Sequence, residues 1–209
     1  RLYDKGLIYK GYTIQPYSPK AGTGLSSHEL NMPGAYRDVK DTTVVAQFKA
    51  EEASKQKLHQ LFDFSGEAYF LAWTTTPWTL PSNTALVVGE SISYVLVKTF
   101  NQYTHKPVNL ILAEARVSSL FGKPYVKVES EEELAGYETG GKSIPYFVSA
   151  SVQGNELVGM RYEQLLPYAQ PYENAENAFQ VIKGAFVTTE DGTGIVHAAP
   201  TFGSDDAQV

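Results

Sequence analysis

The chain has 209 residues, of which 43% are hydrophobic and 19% charged, with a formal net charge of −6 at pH 7 and no cysteine. That length supports one unit with a substantial core and not two full domains, so residues 1–209 are expected to form a single domain with an irregular opening segment over residues 1–40. The composition excludes disulfides, thiolate metal sites and a membrane-spanning apolar run, is compatible with the cytoplasm, and argues against gripping nucleic acid by charge alone, because phosphate contacts need clustered Lys and Arg.

The start at Arg1 has neither an initiator Met nor a signal-peptide pattern and is expected of a piece of a longer polypeptide. Arg1 to Tyr9 reads as the end of a helix closing at Gly6, and the Gly-, Pro- and Ser-rich stretch from Gly11 through Gly34 as loop. Strand texture begins at Thr42–Lys49, β-branched and partly alternating. Glu51–Phe62 carries Leu58, Leu61 and Phe62 at helical spacing on a charged background, which predicts a short surface helix.

Ala68–Trp73 is aromatic, bulky and uncharged, as a buried strand would be, and Pro77 ends any ladder pairing there. A residue before proline is pushed to extended geometry, so Thr76 should point to the same side as Thr74. Thr74, Thr75 and Thr76 then sit where a rigid strand gives way to a loop. Such hydroxyls either hold a small polar ligand or a water, or bond the local backbone as threonines at a strand end do.

Ala85–Val88, Tyr94–Lys98 and Val108–Leu112 read as strands, with an exposed hairpin tip over residues 100–106. Glu114–Leu120 predicts a helix stopped at Gly122, Tyr125–Glu129 a strand, and Ser130–Leu134 an acidic half-turn capped by Ser130. Ile144–Ser151 is a further strand, and Tyr162–Tyr172, rich in Pro and Tyr, has no assignable period. Ala178–Lys183 and Ala185–Thr189 read as strands, residues 190–194 as a tight turn and Ile195–Ala198 as a returning strand. Many short strands with few helices predict an α+β protein with a β-barrel-like core and peripheral helices.

Gly136–Ser143 fits the P-loop pattern letter for letter, yet it lacks the context that gives the pattern meaning. Phosphate binding needs a buried strand before the loop and a helix after it. Here an acidic, helix-like stretch precedes the loop and the strand Ile144–Val148 follows it, so no nucleotide site is expected.

A second polar cluster lies in Gly192–Asp206, where His197 stands near the end of an apolar strand and Asp205 and Asp206 follow Gly203. Each alone has a bland reading, a packed histidine and helix-start caps. Together with the threonines they could line one pocket, where a carboxylate would suit a ligand ammonium group. No Gly-x-Ser-x-Gly elbow occurs, and His28, His59 and His105 give no zinc-ligand spacing. Hydrolysis here would rest on a positioned water and preorganised polar groups.

The stretches Trp73–Asn83 and Gly192–Asp206 resemble the paired signatures of the editing domain inserted into class I isoleucyl-tRNA synthetases. The valyl and leucyl relatives usually place an Arg after two threonines and lack the His, whereas this chain has Thr76-Pro77-Trp78-Thr79 and His197. Leu7–Gly11, Tyr36–Lys40 and Leu157–Tyr168 also resemble family segments, while the nucleotide-binding signatures of the synthetase core are absent from these residues. The resemblance implies the valyl/isoleucyl/leucyl editing-domain fold and hydrolysis of valine misattached to the isoleucine tRNA. It places Thr74, Thr75, Thr76 and Asn83 around the terminal adenosine, the ester and the attacking water. Trp78 and Thr79 would contact substrate, His197 would limit side-chain size, and Asp206, or its neighbour Asp205, would bind the α-ammonium. The implied partners are the 3′ end of the charged tRNA and the remainder of the synthetase, with a monomeric chain, no cofactor, no metal and no membrane. Ser18-Pro19-Lys20-Ala21 stands where many family members carry a Cys-x-x-Cys zinc knuckle, so no such zinc is expected. Two alternatives share these residues: an insertion that only positions the tRNA end, and editing with valyl or leucyl selectivity.

Overall fold

A computed structural model describes residues 1–11 and 13–208. Eleven strands, β1 (Tyr17–Ser18), β2 (Thr23–Gly24), β3 (Val44–Lys49), β4 (Ala68–Thr74), β5 (Ala85–Val88), β6 (Ser93–Phe100), β7 (Pro107–Ala113), β8 (Tyr125–Lys127), β9 (Ile144–Gln153), β10 (Gln180–Lys183) and β11 (Ile195–Ala198), form three sheets among the described residues. The largest has the order β3-β4-β7-β6-β9-β8, the second β10-β5-β11, and β1 pairs only β2. The helices are short: α1 (Ser27–Leu30), α2 (Glu52–Leu61) and α3 (Val117–Leu120). The α+β class holds, and the barrel-like core takes the form of separate sheets with unpaired edges rather than a closed cylinder.

The six-stranded sheet is buried on both faces, which explains its continuous apolar runs. Along β6, Tyr94 and Leu96 enter the main core while Val95 and Val97 enter a second cluster on the opposite face. Along β7, Ile111 and Ala113 alternate with Leu110 and Leu112 in the same way, as the two-residue period of a strand requires. α2 buries Ser54 and Leu58, one turn apart, against this core.

Three contacts join the sheets and set the frame of the site. The buried Tyr94 hydroxyl donates to Gly194 O at 2.6 Å and accepts from Gly89 N–H at 3.0 Å, and burial raises its pKa to about 12. Gly194 has φ +75, and a Cβ there would lie 2.3 Å from Ala113 Cβ, so the turn before β11 needs glycine. Arg116 then ties the turn down, with Nε donating to Gly192 O at 3.0 Å and Nη1 to Glu190 O at 2.8 Å.

Three sequence expectations fail. Residues 1–9 form turns without a helix, and Ser27–Leu30, expected as loop, is a helical turn closed by a capping box between Ser26 and Glu29. Ala185–Thr189 is no strand: it forms the turn that follows β10, and the positions beside β5 are taken by β10 and β11. The P-loop-like stretch behaves as its flanks predict: the 3₁₀ turn Glu131–Gly136 precedes it and β9 follows, so no helix N-terminus stands behind its amides.

Candidate active site

β4 delivers the threonines. The Thr74 hydroxyl, buried at the strand end, accepts the Thr76 amide at 3.0 Å, and the two hydroxyl oxygens stand 3.4 Å apart on one side. Thr76 adopts φ −126, ψ 68 before Pro77, which begins the 3₁₀ helix Pro77–Ser82. That tight turn carries Thr79 back beneath Thr76, where its hydroxyl donates to Thr76 O at 2.8 Å. Pro77 therefore does more than end the strand: it folds a further hydroxyl under the first two.

β11 delivers the imidazole. It pairs antiparallel with β5, setting His197 opposite Leu86, and His197 Nε2 lies 2.9 Å from Thr79 Oγ1. With the Thr79 hydroxyl donating to Thr76 O, the assignment that pairs every group has the imidazole donating from Nε2. Nδ1 is then an acceptor and receives the Asn83 side-chain amide at 3.3 Å. Burial lowers the His197 pKa below the ordinary imidazole value, opposed in part by the negative charge of Asp206. Burial thus favours the neutral ring, and both nitrogens have protein partners, Thr79 at Nε2 and Asn83 at Nδ1.

The chain leaves β11 through Ala199 and curls back at Phe202, whose amide donates to Ala199 O at 2.8 Å. This brings the Asp206 carboxylate over the loop, where Oδ2 accepts the Ala199 amide at 2.9 Å. A Cβ at position 203 would lie 2.6 Å from that same oxygen, so glycine there permits the close approach. The carboxylate is half-buried at the edge of the cleft.

These segments enclose a cleft of ≈350 Å³ lined by Trp73, Thr74, Thr75, Thr76, Thr79, Val196, His197, Ala199, Phe202, Gly203 and Asp206. Asp206 is the one carboxylate among these lining residues. The cleft can thus receive a cation at Asp206 and an oxygen at the Thr74 and Thr76 hydroxyls, with the imidazole as a firm wall. A larger cleft of ≈500 Å³, beside Lys98 and Glu131, lies elsewhere. Of its charged lining residues, Lys98 pairs with Glu131 and Glu67 is the third, and it holds none of the expected site residues.

Of the expected residues, Thr74, Thr75, Thr76, Thr79, His197 and Asp206 are brought together, and three are not. Asn83 lies behind His197 instead of in the cleft: it is buried, donates to Ala85 O at 2.9 Å, and accepts from Tyr162 at 2.6 Å. It stands at the end of the 3₁₀ helix, one layer deeper than the hydroxyls. Trp78 is 64% exposed and meets Phe202 edge-on, with ring centroids 5.5 Å apart, at the rim. Asp205 is exposed and outside the lining, which assigns the inward position to Asp206. His59 stacks on Phe64 and His105 bonds the Tyr137 hydroxyl, both away from the cleft. Sequence reasoning missed Tyr162, which sits in a segment without usable periodicity and meets Asn83 only through the tertiary fold.

Comparison with known proteins completes the description. No family model matches the chain. The isoleucine-tRNA ligase of Porphyromonas gingivalis is 60% identical over 209 residues, and that of Bacteroides fragilis 59% identical over 209 residues. Each alignment covers 100% of this chain and 17% of the ligase, so the chain spans about one-sixth of these relatives. Among solved structures, the P. falciparum cytosolic leucyl-tRNA synthetase editing domain superposes with a TM-score of 0.52 at 14% identity, covering 79% of this chain and 63% of that one. At that identity the likeness concerns the fold.

Proposed function

We propose that this chain, a segment of the isoleucine-tRNA ligase family with the editing-domain fold, hydrolyses the ester that joins a misattached valine to the 3′ end of the isoleucine tRNA. The observation that carries the reading is the convergence of Thr74, Thr76, His197 and Asp206 on one cleft from segments more than a hundred residues apart in sequence.

In this reading the Asp206 carboxylate holds the α-ammonium of the misattached residue. The Thr74 and Thr76 hydroxyls donate toward the ester and the attacking water; Thr75, at the exposed edge, meets the sugar. Water adds to the ester carbonyl, the tetrahedral intermediate breaks its bond to the ribose oxygen, and that oxygen leaves with a proton as the free hydroxyl. His197, neutral and engaged at both nitrogens, serves as the wall that limits side-chain size and takes no proton. An aminoacyl ester is already activated, so positioning of water and substrate supplies much of the rate. A second site of this kind is useful because one methylene discriminates weakly; the isoleucyl enzyme is the standard example of that limit.

The reading entails the 3′ end of the charged tRNA and the remainder of the ligase as partners, a monomeric chain, and the cytoplasm as its setting. Purified chain mixed with valine-charged isoleucine tRNA should accelerate valine release, and Asp206→Ala should abolish most of it. No acceleration at high protein concentration overturns the reading in favour of an insertion that only positions the tRNA end. Parallel assays with threonine- and isoleucine-charged tRNA separate isoleucyl from valyl or leucyl selectivity.

A further inference from the structure

Behind the cleft wall runs a buried hydrogen-bonded chain that the reaction itself does not use. Tyr162 is fully buried, and its hydroxyl donates to Asn83 Oδ1 at 2.6 Å. With Oδ1 turned to Tyr162, the Asn83 amide nitrogen faces Ala85 O at 2.9 Å and His197 Nδ1 at 3.3 Å. From there the imidazole proton points at Thr79, whose own proton points at Thr76 O. The bonds run from the core toward the cleft, and the Asn83 amide nitrogen branches to two backbone carbonyls, Ala85 O at 2.9 Å and Ala198 O at 3.4 Å.

The phenol is anchored well enough to set that direction. Its ring is held edge-on by Phe48, with centroids 5.3 Å apart, and by Phe179 at 6.2 Å. Its backbone amide donates to Phe179 O at 3.0 Å, and Phe179, a non-glycine residue at φ +60, donates its own amide to Thr84 O at 2.7 Å. A left-handed phenylalanine persists only where its surroundings impose it. Burial raises the Tyr162 pKa far above the working range, so this hydroxyl is always a donor.

We propose that Tyr162 is a positioning residue that, together with the carbonyls of Ala85 and Ala198, fixes the orientation of the Asn83 side-chain amide and, through it, the tautomer of His197. An asparagine amide has near-identical ends, and only its partners distinguish them. Without the phenol donor, only the carbonyls of Ala85 and Ala198 hold the amide in this orientation, and its turning over to present Oδ1 to His197 Nδ1 is less opposed. The ring then takes a proton at Nδ1, as the other neutral tautomer or as the imidazolium. A cationic wall would repel the ammonium of the substrate proposed above. The kinetic consequence rests on that reading of the cleft, whereas the tautomer does not.

The test uses Tyr162→Phe and Asn83→Asp in the 209-residue chain, labelled with ¹⁵N at its 4 histidines. Long-range ¹H–¹⁵N correlation spectra read the tautomer of His197 directly. The parent should show a protonated Nε2 and bare Nδ1. Tyr162→Phe should show mixed tautomers and a titration midpoint raised by about one pH unit, a tenfold change in protonation. Asn83→Asp, which offers Nδ1 only acceptors, should raise the midpoint further and provides the same reading if Tyr162→Phe fails to fold. A Tyr162→Phe spectrum with unchanged tautomer and midpoint overturns the proposal, as does an Asn83→Asp midpoint equal to that of the parent. In the complete ligase, Tyr162→Phe should raise KM for valine-charged tRNA several-fold more at pH 6 than at pH 8 while leaving kcat near the parent value. A KM change equal at both pH values overturns the kinetic consequence. Absence of valine release by the parent ligase overturns the deacylase reading, which the spectra do not depend on.

Discussion

At Asp206, Oδ2 is held by the Ala199 amide while the residue lines the cleft, and in the proposed reaction its carboxylate meets the substrate ammonium. Asp206→Ala should therefore lower kcat/KM for valine release by about 2–3 kcal/mol, roughly 30- to 150-fold, as expected for losing one partner of a partly desolvated charge pair. His197 acts by volume. His197→Ala should let isoleucine-charged tRNA be hydrolysed, changing the valine-to-isoleucine ratio of kcat/KM by about 1–3 kcal/mol, the range of small steric discriminations. The same ring links stability to pH. Its folded pKa lies below the ordinary imidazole value because of burial, so the folded state binds fewer protons than the unfolded one through that window. Stability is therefore complete above the unfolded imidazole pKa and declines as pH falls toward the folded value. The thermal midpoint should drop between pH 7 and pH 5, and His197→Gln should flatten the part of that slope due to this residue.

Among the elements, β11 decides whether the site exists, because it carries His197 and must lie against β4 to meet the threonines. Its approach depends on Gly194, where the backbone is left-handed and a side chain would strike Ala113. Gly194→Ala should destabilise the protein by about 2–4 kcal/mol, combining left-handed strain with overpacking. Chemical denaturation reads the loss, and valine release should fall with it. Tyr94→Phe, which strips the hydroxyl joining Gly89 and Gly194, should cost about 1–3 kcal/mol for the polar groups left unpaired. β3 to β7 were legible in the sequence because each buries a run of β-branched or aromatic residues. Ala185–Thr189 has the same texture and is not a strand. Its texture is not matched by burial, since Ala185 and Thr188 are exposed, and the places beside β5 are filled by β10 and β11.

For the whole molecule, the net charge of −6 limits how this chain can hold an RNA end. Its binding to tRNA should be weak and should weaken further as salt rises, since few phosphates are neutralised. Titrating labelled tRNA at two salt concentrations checks this, and tight binding indifferent to salt would contradict it. The sequence by itself determined the α+β class, the two polar segments and the refusal of the P-loop reading, because these depend on local pattern and on what flanks it. It also marked Thr74, Thr76, His197 and Asp206, whose types and spacing carry the resemblance to editing domains. Only the tertiary structure decided that Asn83 lies behind His197 instead of lining the cleft, that Trp78 stands at the rim, that Asp206 and not Asp205 lines the cleft, and that Tyr162 bonds Asn83. Those facts follow from sheet pairing and from which hydrogen-bond partners are left over once the core has closed. For Asn83, Trp78 and Tyr162 no local pattern contains that information, because their partners are tens of residues or more apart in sequence.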